Sequence, residues 1–531
     1  MSRAHYYAFC LLVLAAFLPD SLRATTDAYS LSFRDDPATT MVIGWSGDNG
    51  TVHYDVVDHG TTHTAYAFSH ASDRSSSQKG QDRHFARLTG LSPKTVYYFV
   101  IYDSNGDVSN RFKFQTLSDN PNDPVSFISG GDSRQSVEIF GVPVEDCPTS
   151  VGCRGERQEG NQLVARIRPD FIAFNGDFVR NSFGLGVEQE WEDWFSDWQM
   201  TISPDGRLTP LVLTQGNHED NTDMERMFDI PTDEYYALDI HGGLLRLYSL
   251  NSELDPCTNA QQLNWLQTDL QNNTGTSSDP MWKVVQYHVP TYSMGNNYGL
   301  ESNQMNCWVP EFEQYDVRLV LESHGHLTKW SWPAVRNSAG NDFDRNDSLG
   351  IVYIGEGQWG APHRELDYTG SNQKPYIRDQ NVADNFFFIQ VTPDTIAIRS
   401  VLFENVANVS QLTDDVLGSG LPPGASLWNP SNGTTLHITQ SSGMVSVDEP
   451  ASLQVKRIFP VPSQNYVNIE FGKRINNATI EVYNSMGKFC KKESFSGRDQ
   501  YRLDVTDLCP GVNFIYVKTP KGTEKHKILK F

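Results

Sequence analysis

The chain has 531 residues and a formal net charge of −23 at pH 7. That length is more than one hydrophobic core usually holds, so we expect about two to four domains. The acidic residues are spread along the sequence. This argues against a protein that coats nucleic acid and favours a soluble protein with a negatively charged surface. A phosphorylated substrate is not excluded, because bound metal cations reverse the sign of the local field.

Residues 1–24 have the pattern of a signal peptide. Arg3 and His5 precede an apolar run over residues 6–18, and Ala24 offers a small residue for cleavage. The apolar run is too short to span a bilayer, and no later segment is long and apolar enough to do so. The sequence therefore predicts an exported protein, secreted or held at the cell surface, with no membrane span.

Seven cysteines are present, and Cys10 lies inside the predicted signal peptide. An even count of six in an exported chain favours three disulfides. Proximity in the sequence suggests the pairs Cys147–Cys153, Cys257–Cys307 and Cys490–Cys509. The alternative is that these cysteines are unpaired buried thiols.

Residues 25–118 alternate apolar and polar side chains, with turns at regular intervals. Residues 41–45, 52–56 and 96–101 are predicted strands, and short strands at this spacing are typical of a β-sandwich. The stretch LTGLSPKTVYYF, at residues 88–99, includes a turn that leads into the last of these strands. In that stretch the segment resembles the fibronectin type III-like N-terminal domain of plant-type purple acid phosphatases.

From residue 124 the pattern changes to short apolar strands that each stop at a polar motif. The predicted strands are residues 125–129, 171–174, 211–213, 284–287 and 319–323, and helical segments lie at residues 162–167 and 260–270. Strand, polar loop and helix in repetition predict an α/β layered core. In such cores the functional groups gather where strands end.

Five polar motifs follow these strands in the order Gly131-Asp132-Ser133-Arg134, Gly176-Asp177, Gly216-Asn217-His218-Glu219, His288 and His324-Gly325-His326. A single Gly-Asp is usually a turn and a single histidine is usually a core residue, but chance seldom assembles all five. Together they offer two aspartates, one asparagine and three histidines. That ligand set suits two transition-metal ions, iron, zinc or manganese, whereas oxygen ligands alone would suit calcium or magnesium.

The five motifs in this order resemble the calcineurin-like metallophosphoesterases, and with the N-terminal sandwich they resemble the purple acid phosphatase branch. The resemblance implies a four-layer α/β (α+β) sandwich over residues 119–405, in which Asp177 bridges two metal ions. The other ligands that it implies are Asp132 and His326 for the first site and Asn217, His288 and His324 for the second. His218 would bind no metal and would lie beside the substrate phosphate, where it stabilises charge or donates a proton to the leaving oxygen.

Three features depart from the family pattern, and one of them is Asn296-Asn297-Tyr298, which stands where purple acid phosphatases carry one or two histidines after the fourth motif. Arg180 stands where purple acid phosphatases have a tyrosine ligand, so the charge transfer to iron that gives them their colour is not expected. Arg134 stands where the wider superfamily often has a histidine ligand, and the first site is expected to lack one protein ligand. Arg134 itself is open to two interpretations: it grips a phosphate oxygen as a catalytic group, or it forms a salt bridge with a nearby carboxylate.

Residues 406–454 are rich in Ser, Gly, Pro and Asn and predict a linker. Strands return over residues 455–531. The stretch IFPVPSQNYVNIEF, at residues 458–471, resembles the C-terminal sorting domain of bacterial type IX secretion substrates, although Val461 replaces the usual asparagine. The resemblance implies a small C-terminal β-sandwich that the type IX secretion machinery recognises, and the alternative is an ordinary accessory β-sandwich.

The sequence thus predicts an exported binuclear-metal hydrolase that releases phosphate from small phosphomonoesters. One alternative is a phosphodiesterase or nucleotidase of the same fold, and another is a non-catalytic surface protein. The presence of all six candidate ligands and of His218 argues against the non-catalytic alternative. Substrate choice is assigned to two predicted loops, residues 184–201 and 292–307.

Overall fold

The computed structural model describes residues 26–135, 138–139, 142–143, 152–180, 186–220, 222–274, 280–295, 300–366, 374–440, 445–447, 455–461, 463–484, 488–508, 510–519 and 522–530. The predicted signal peptide, residues 1–24, lies outside the described residues. The protein divides into two compact units. The first unit holds the described residues up to Pro393 together with Val401–Ser426, and the second holds Asp394–Ser400 and Leu427–Phe531.

The N-terminal segment of the first unit is built from eight antiparallel strands: β1 (Thr26–Ser32), β2 (Met41–Gly47), β3 (Gly50–Asp55), β4 (Phe68–Ala71), β5 (Arg74–Gln78), β6 (Gln81–Leu88), β7 (Val96–Asp103) and β8 (Phe112–Gln115). β1, β2, β6 and β5 are neighbours in one sheet, and β4, β3, β7 and β8 form another. Trp45, Phe85, Phe99 and Phe114 are fully buried. The predicted β-sandwich is confirmed.

The following strands alternate with helices. The strands are β9 (Val125–Gly130), β10 (Glu138–Ile139), β11 (Val142–Pro143), β12 (Phe171–Phe174), β13 (Pro210–Leu213), β14 (Tyr236–Ile240), β15 (Leu245–Ser249), β16 (Trp282–Gln286), β17 (Leu319–Leu321), β18 (Thr328–Ser331), β19 (Ala334–Arg336), β20 (Phe343–Arg345), β21 (Val352–Gly355), β22 (Ile377–Asn381) and β23 (Asn385–Val391). The helices are α1 (Gly152–Ile167), α2 (Val187–Trp198), α3 (Asp223–Phe228), α4 (Ala260–Asn272) and α5 (Val309–Gln314).

Two sheets position the polar motifs. One contains the neighbours β23, β9, β12, β13, β1, β2, β6 and β5, and the other contains β14, β15, β16, β17, β21, β18 and β22. β9, β12 and β13 are parallel, as are β16 and β17, so each set of motifs leaves its sheet at one edge. α4 and α5 bury apolar side chains in the core of the second sheet. α1 and α2 pack against each other at the first sheet. The two sheets and their helices make up the four predicted layers.

The N-terminal sandwich and the α/β core share one sheet, which the sequence analysis did not predict. β1 pairs in parallel with β13, with Leu31 opposite Pro210 and Ser32 opposite Leu211. The two segments are therefore joined by backbone hydrogen bonds between residues far apart in the sequence. Local alternation of side chains gives no signal for such a pairing.

The segment predicted as a specificity loop, residues 184–201, is largely helical. α2 buries Trp191, Trp194, Phe195 and Trp198, which recur at the spacing of one helix face. The rings of Trp194 and Trp198 are 6.1 and 6.2 Å from the ring of Phe174 at the end of β12. The prediction was wrong because this apolar face belongs to the core, not to a surface loop.

Residues 406–440, predicted as part of a linker, are folded where the structure describes them. Val406, Val409 and Leu417 are buried. The Asp415 carboxylate forms salt bridges with Lys113, Arg168 and Arg207. A polar composition was misleading here because a few apolar side chains and one neutralised carboxylate are enough to anchor a segment without long strands.

The second unit contains most of β24 (Thr395–Leu402), which pairs antiparallel with β25 (Leu436–Thr439). β25 in turn pairs antiparallel with β26 (Val445–Val447). The second unit ends in β27 (Val455–Phe459), β28 (Tyr466–Ile475), β29 (Ala478–Asn484), β30 (Phe489–Phe495), β31 (Arg498–Asp504), β32 (Gly511–Thr519) and β33 (Gly522–Lys530). These form two sheets, β27-β28-β31 and β30-β29-β32-β33. Val467, Ile480, Leu503 and Ile515 belong to their common core, so the small C-terminal β-sandwich is confirmed.

The predicted disulfides have different outcomes. Cys257 and Cys307 form a disulfide with Cα atoms 5.4 Å apart. Cys147 lies outside the described residues, so its predicted pairing with Cys153 stays a prediction. Among the described residues Cys490 is a free, exposed cysteine on β30, and its Sγ contacts the carbonyl oxygen of Lys488 at 3.3 Å. Its predicted partner, Cys509, lies outside the described residues.

Candidate metal centre

Tight turns after the strands carry the candidate ligands. Asp132, Asp177, His324 and His326 all have positive φ, between 53° and 69°. Aspartate and histidine tolerate this left-handed region better than most residues, yet it is still uncommon for any residue other than glycine. The turns therefore hold four polar side chains in one place at some conformational cost, which is typical of functional sites.

The first group consists of Asp132, Asp177 and His326. One donor atom from each lies within 4.8 Å of the others, and all three side chains are buried. Nδ1 of His326 donates a hydrogen bond to the carbonyl oxygen of Pro362 at 2.7 Å. That bond turns Nε2 toward Asp132, whose Oδ1 is 3.2 Å away. Such orientation of an imidazole by a carbonyl is common among metal ligands.

The second group consists of Asp177, His288 and His324, again with donor atoms within 4.8 Å. Nδ1 of His288 donates to the carbonyl oxygen of Asn175 at 2.8 Å, and Nε2 lies 3.2 Å from Asp177 Oδ1. Oδ1 of Asn217 is 3.0 Å from Nε2 of His288 and 2.8 Å from Nδ1 of His324. All six predicted ligands are therefore together, and Asp177 belongs to both groups.

The carboxylates keep their charge in the buried site. Burial would raise the pKa of Asp132, but the facing His326 holds it below its usual range. Burial opposes the charge of Asp177 as well, and the facing His288 lowers its pKa. Burial would lower the pKa of His288, but the Asp177 carboxylate raises it to about 10. Burial and the neighbouring His288 lower the pKa of His324 to about 3. The site thus favours a cation beside its carboxylates.

Buried polar atoms at this site fit a bound metal. Among the described residues, Oδ1 of Asp132, Oδ2 of Asp177 and Nε2 of His326 are buried and have no hydrogen-bond partner. Leaving such atoms unsatisfied is costly unless another partner neutralises them. Metal ions are suitable partners, because every one of these atoms has an unshared electron pair when its group is deprotonated.

Two glycines leave room for the carboxylates. A Cβ atom on Gly357, which has a φ of 71°, would lie 1.7 Å from Asp132 Oδ2. A Cβ atom on Gly216 would lie 2.3 Å from Asp177 Oδ1. Any larger residue at either position would displace a candidate ligand, so both glycines are required by close approach.

His218 lies at the edge of this site. Its Nδ1 donates to the carbonyl oxygen of Arg180, and its Nε2 is 3.8 Å from Asp177 Oδ2. The side chain is 27% exposed, unlike the buried Asp177. His218 therefore faces both the candidate metal centre and solvent, the position expected of a group that meets a substrate.

Two guanidinium groups contribute positive charge. Arg134 is 5% exposed. Burial lowers the pKa of His326, and the charges of Arg364 and Arg134 add to that effect. Arg364 donates to the carbonyl oxygen of His324 at 2.5 Å. Arg134 was singled out in the sequence, whereas Arg364 was not, although it ends the glycine-rich loop that follows β21.

Arg180, which takes the place of the family tyrosine, has its side chain beside Glu190. Its Nε lies 3.7 Å from Glu190 Oε1, and its backbone N–H donates to Glu190 Oε2 at 2.8 Å. At the site itself the carbonyl oxygen of Arg180 accepts a hydrogen bond from His218.

Glu219 is a positioning residue that the sequence analysis missed. Its carboxylate accepts hydrogen bonds from the backbone N–H groups of Asp177, Phe178 and Gly216 at 2.8–3.0 Å. Burial and the charge of Asp177 raise its pKa to about 8. It thus ties the turn with the shared carboxylate to the turn with Asn217. Its place in the motif, directly after His218, was the available signal.

Comparison with known proteins agrees with this geometry. Residues 152–327 match the family model for calcineurin-like phosphoesterases, and this segment contains all the candidate ligands except Asp132. Residues 26–116 match the model for the N-terminal domain of purple acid phosphatases. Over these two segments the chain is thus similar to the purple acid phosphatases and to the calcineurin-like phosphoesterases.

Similar proteins come from distant organisms. An uncharacterised protein of Mycobacterium tuberculosis is 25% identical over 347 residues, which are 59% of this chain and 63% of that protein. Purple acid phosphatase 23 of Arabidopsis thaliana is 24% identical over 46% of this chain and 56% of its own length. The structure of a purple acid phosphatase from yellow lupin seeds superposes with a TM-score of 0.57 at 13% identity, covering 74% of each chain. The chain thus spans less than two thirds of these curated relatives, and the structural likeness shows the fold.

The C-terminal segment has a match of its own. Residues 457–530 match the family model for a secretion system C-terminal sorting domain. None of the helices in the described part of the chain has the length and apolar character that crossing a membrane requires.

Proposed function

We propose that this protein is an exported binuclear-metal hydrolase that releases phosphate from phosphomonoesters. The observation that carries the proposal is the arrangement of two ligand groups around one shared carboxylate, Asp177. Asp132 and His326 would hold the first ion, and Asn217, His288 and His324 the second. Imidazole and carboxylate ligands favour iron, zinc or manganese. Such a pair of ions supplies an acidified water and neutralises charge on the phosphoryl oxygens.

The residues around the ligands suit a doubly charged phosphate. A monoester phosphate carries a charge of about −1.5 to −2 near neutral pH. Arg134 and Arg364 supply positive charge close to His326. In the proposed role Arg134 holds a phosphate oxygen, and His218 donates a proton to the leaving oxygen.

Hydrolysis of p-nitrophenyl phosphate, measured together with metal content, tests this function. The full chain reconstituted with iron, zinc or manganese is expected to bind about two ions and to release phosphate. Preference for bis(p-nitrophenyl) phosphate or for a nucleotide would assign it to the phosphodiesterase or nucleotidase alternative. A folded protein with two ions and no activity on any of these substrates would support the non-catalytic alternative.

The iron-loaded protein is expected to lack the strong visible absorption of purple acid phosphatases. The reason is that Arg180 replaces the tyrosine whose charge transfer to iron gives the colour, and the Arg180 side chain lies beside Glu190. A visible spectrum of the protein with measured iron content checks this. A strong band would mean that another tyrosine reaches the metal.

Export by the type IX machinery rests on the predicted signal peptide and the C-terminal match. Removal of residues 455–531 is expected to leave hydrolysis and metal content unchanged and to stop release or surface display. The C-terminal sandwich has its own hydrophobic core, and every candidate ligand lies before it in the chain. Activity in cell extract and in medium, for full and shortened chains, gives the test. A soluble, folded truncation without activity would contradict the prediction.

A further inference from the structure

The hairpin of β5 and β6 has an unusual residue at its tip. Gln78 and Gln81 face each other, so the turn between them is Lys79-Gly80. Both turn residues have positive φ, 48° and 75°, as a two-residue turn of type I′ requires. Asparagine, aspartate or glycine normally fills the first position, because other side chains are strained there. A lysine held in this conformation suggests that its side chain has a specific use.

The ammonium group of Lys79 lies between two carboxylates. Its side chain is 10% exposed, and Nζ is 3.1 Å from Asp220 Oδ2 and in contact with Asp223 Oδ2. Nε2 of Gln78 donates to the other oxygen of Asp223 at 3.0 Å. The Asp223 side chain is fully buried, so these donors replace the water that its charge would otherwise require.

Asp223 is connected in turn to the candidate metal centre. The backbone N–H of Asp220 donates to Asp223 Oδ2 at 2.9 Å. Asp220 directly follows Glu219, whose carboxylate accepts from the N–H groups of Asp177 and Gly216. Hydrogen bonds and one stretch of backbone therefore connect the tip of an N-terminal hairpin to the turn that carries the shared carboxylate.

The same hairpin holds the far end of α3. The Asp229 carboxylate, which is fully buried, accepts two hydrogen bonds from Arg87 at 2.6 and 2.7 Å. Arg74 donates to Asp229 Oδ1 at 2.8 Å. α3 and the loop before it are thus fixed at both ends by one hairpin, and that hairpin belongs to the sheet that also contains β9, β12 and β13.

We propose that Lys79 is a positioning residue of the second metal site, so that the N-terminal sandwich forms part of the scaffold of that site. Its ammonium ties the segment after Asn217 and His218 to a rigid hairpin. The inference rests on the proposed function in one respect, which is that Asn217 binds a metal ion. Loss of Lys79 leaves a buried carboxylate without its cation, and the loop that carries Asn217 is expected to loosen.

The first site is expected to be less sensitive to this change, because Asp177 is its one ligand in the turn that Glu219 holds. Asp132 and His326 leave other strands, and their turns are held by contacts with Gly176 and Pro362. A change at the hairpin tip therefore affects the two ions unequally, which a general loss of stability would not do.

Chelator competition on the zinc-loaded full chain tests the proposal. Lys79→Met is expected to weaken binding of the second ion roughly 10-fold, since residues that support metal ligands typically contribute roughly 10- to 100-fold in affinity. Binding of the first ion is expected to weaken clearly less than binding of the second. Lys79→Arg should restore the second ion, because it keeps the charge that Asp220 and Asp223 contact. Lys94→Met is the matched control, since Lys94 is 55% exposed and pairs with Asp123 in the same sandwich.

A second measurement does not depend on metal. In the metal-free protein the backbone amides of residues 216–220 are expected to exchange faster in Lys79→Met than in wild type or Lys94→Met. The inference would be overturned if amide exchange and the affinity for the second ion were both unchanged. It would also be overturned if the affinities for the two ions fell equally. If Lys79→Met does not fold, Gln78→Leu removes another side-chain donor to Asp223 and must show the same pattern at smaller size. A wild type without phosphatase activity that still shows these differences would reject the proposed function and keep the inference.

Discussion

Replacement of Asp177 by asparagine is expected to remove both metal ions, whereas replacement of Asp132 by asparagine removes one. Asp177 belongs to both ligand groups and Asp132 to one. Asparagine is the matched substitution because both residues have left-handed backbone, with φ of 55° and 56°, which asparagine tolerates. Metal content should fall from about two ions per chain to fewer than one in Asp177→Asn. Turnover should fall roughly 1,000-fold or more, because the ion pair supplies several kcal/mol of transition-state stabilisation.

Metal analysis after reconstitution measures this effect directly. Asp316→Asn is a suitable control, because Asp316 also has positive φ but is 73% exposed and pairs only with Arg318 among the ion pairs of the described residues. It should keep both ions and full turnover. If Asp177→Asn retained one ion at wild-type affinity, Asp177 would be a ligand of one site and the shared carboxylate would be wrong.

His218→Ala is expected to keep both ions and to lose roughly two to four orders of magnitude of turnover, as is typical when a general acid is removed. The partner of Nδ1 is the carbonyl oxygen of Arg180, which only accepts hydrogen bonds, so Nδ1 carries a hydrogen. Nε2 is then the nitrogen that exchanges a proton at the site, and it lies 3.8 Å from Asp177 Oδ2. The preceding residue, Asn217, contacts His288 and His324 of the second ligand group. Because the side chains of consecutive residues point in different directions, His218 is not expected to reach the same ion.

The choice of leaving group separates proton donation from a structural role for His218. The loss should be smaller for p-nitrophenyl phosphate than for an alkyl phosphate such as glycerol 2-phosphate, because an aryl oxide needs less protonation. His70→Ala, which removes an exposed histidine paired with Asp73, should match wild type on both substrates. Near-normal turnover of the alkyl phosphate would mean that His218 only supports its loop. Loss of one metal ion in His218→Ala would mean that His218 is a metal ligand.

Most of the strands that carry the site could be predicted from the sequence. β9, β12 and β13 are short apolar runs that stop at a glycine-containing motif, and such runs differ clearly from their surroundings. α2 could not be placed in the same way. Its four buried aromatic residues have helical spacing, but the segment was predicted to be a loop. Whether such a face is buried depends on what packs against it, here Phe174 and Phe178.

The role of Glu219 shows a second limit of the sequence. An acidic residue after His218 is visible in the motif, but its partners include Asp177 and Phe178, some 40 positions earlier. Spacing along the chain does not show which backbone N–H groups will lie next to a carboxylate. The same holds for Asp415, whose three cationic partners come from distant segments and turn a predicted linker into packed structure.

The sequence by itself determined the candidate ligands and their order, because each of them follows a strand whose apolar pattern is local. The family resemblance implied that Asp177 is shared, but only the tertiary structure places it in both ligand groups, since two sheets must bring their edges together before the groups can overlap. The tertiary structure also decided that the β5–β6 hairpin holds Asp220 and Asp223, because β1 pairs with β13 and carries the sandwich alongside α3. Local side-chain patterns govern where strands end, but contacts between distant residues govern which strand ends meet.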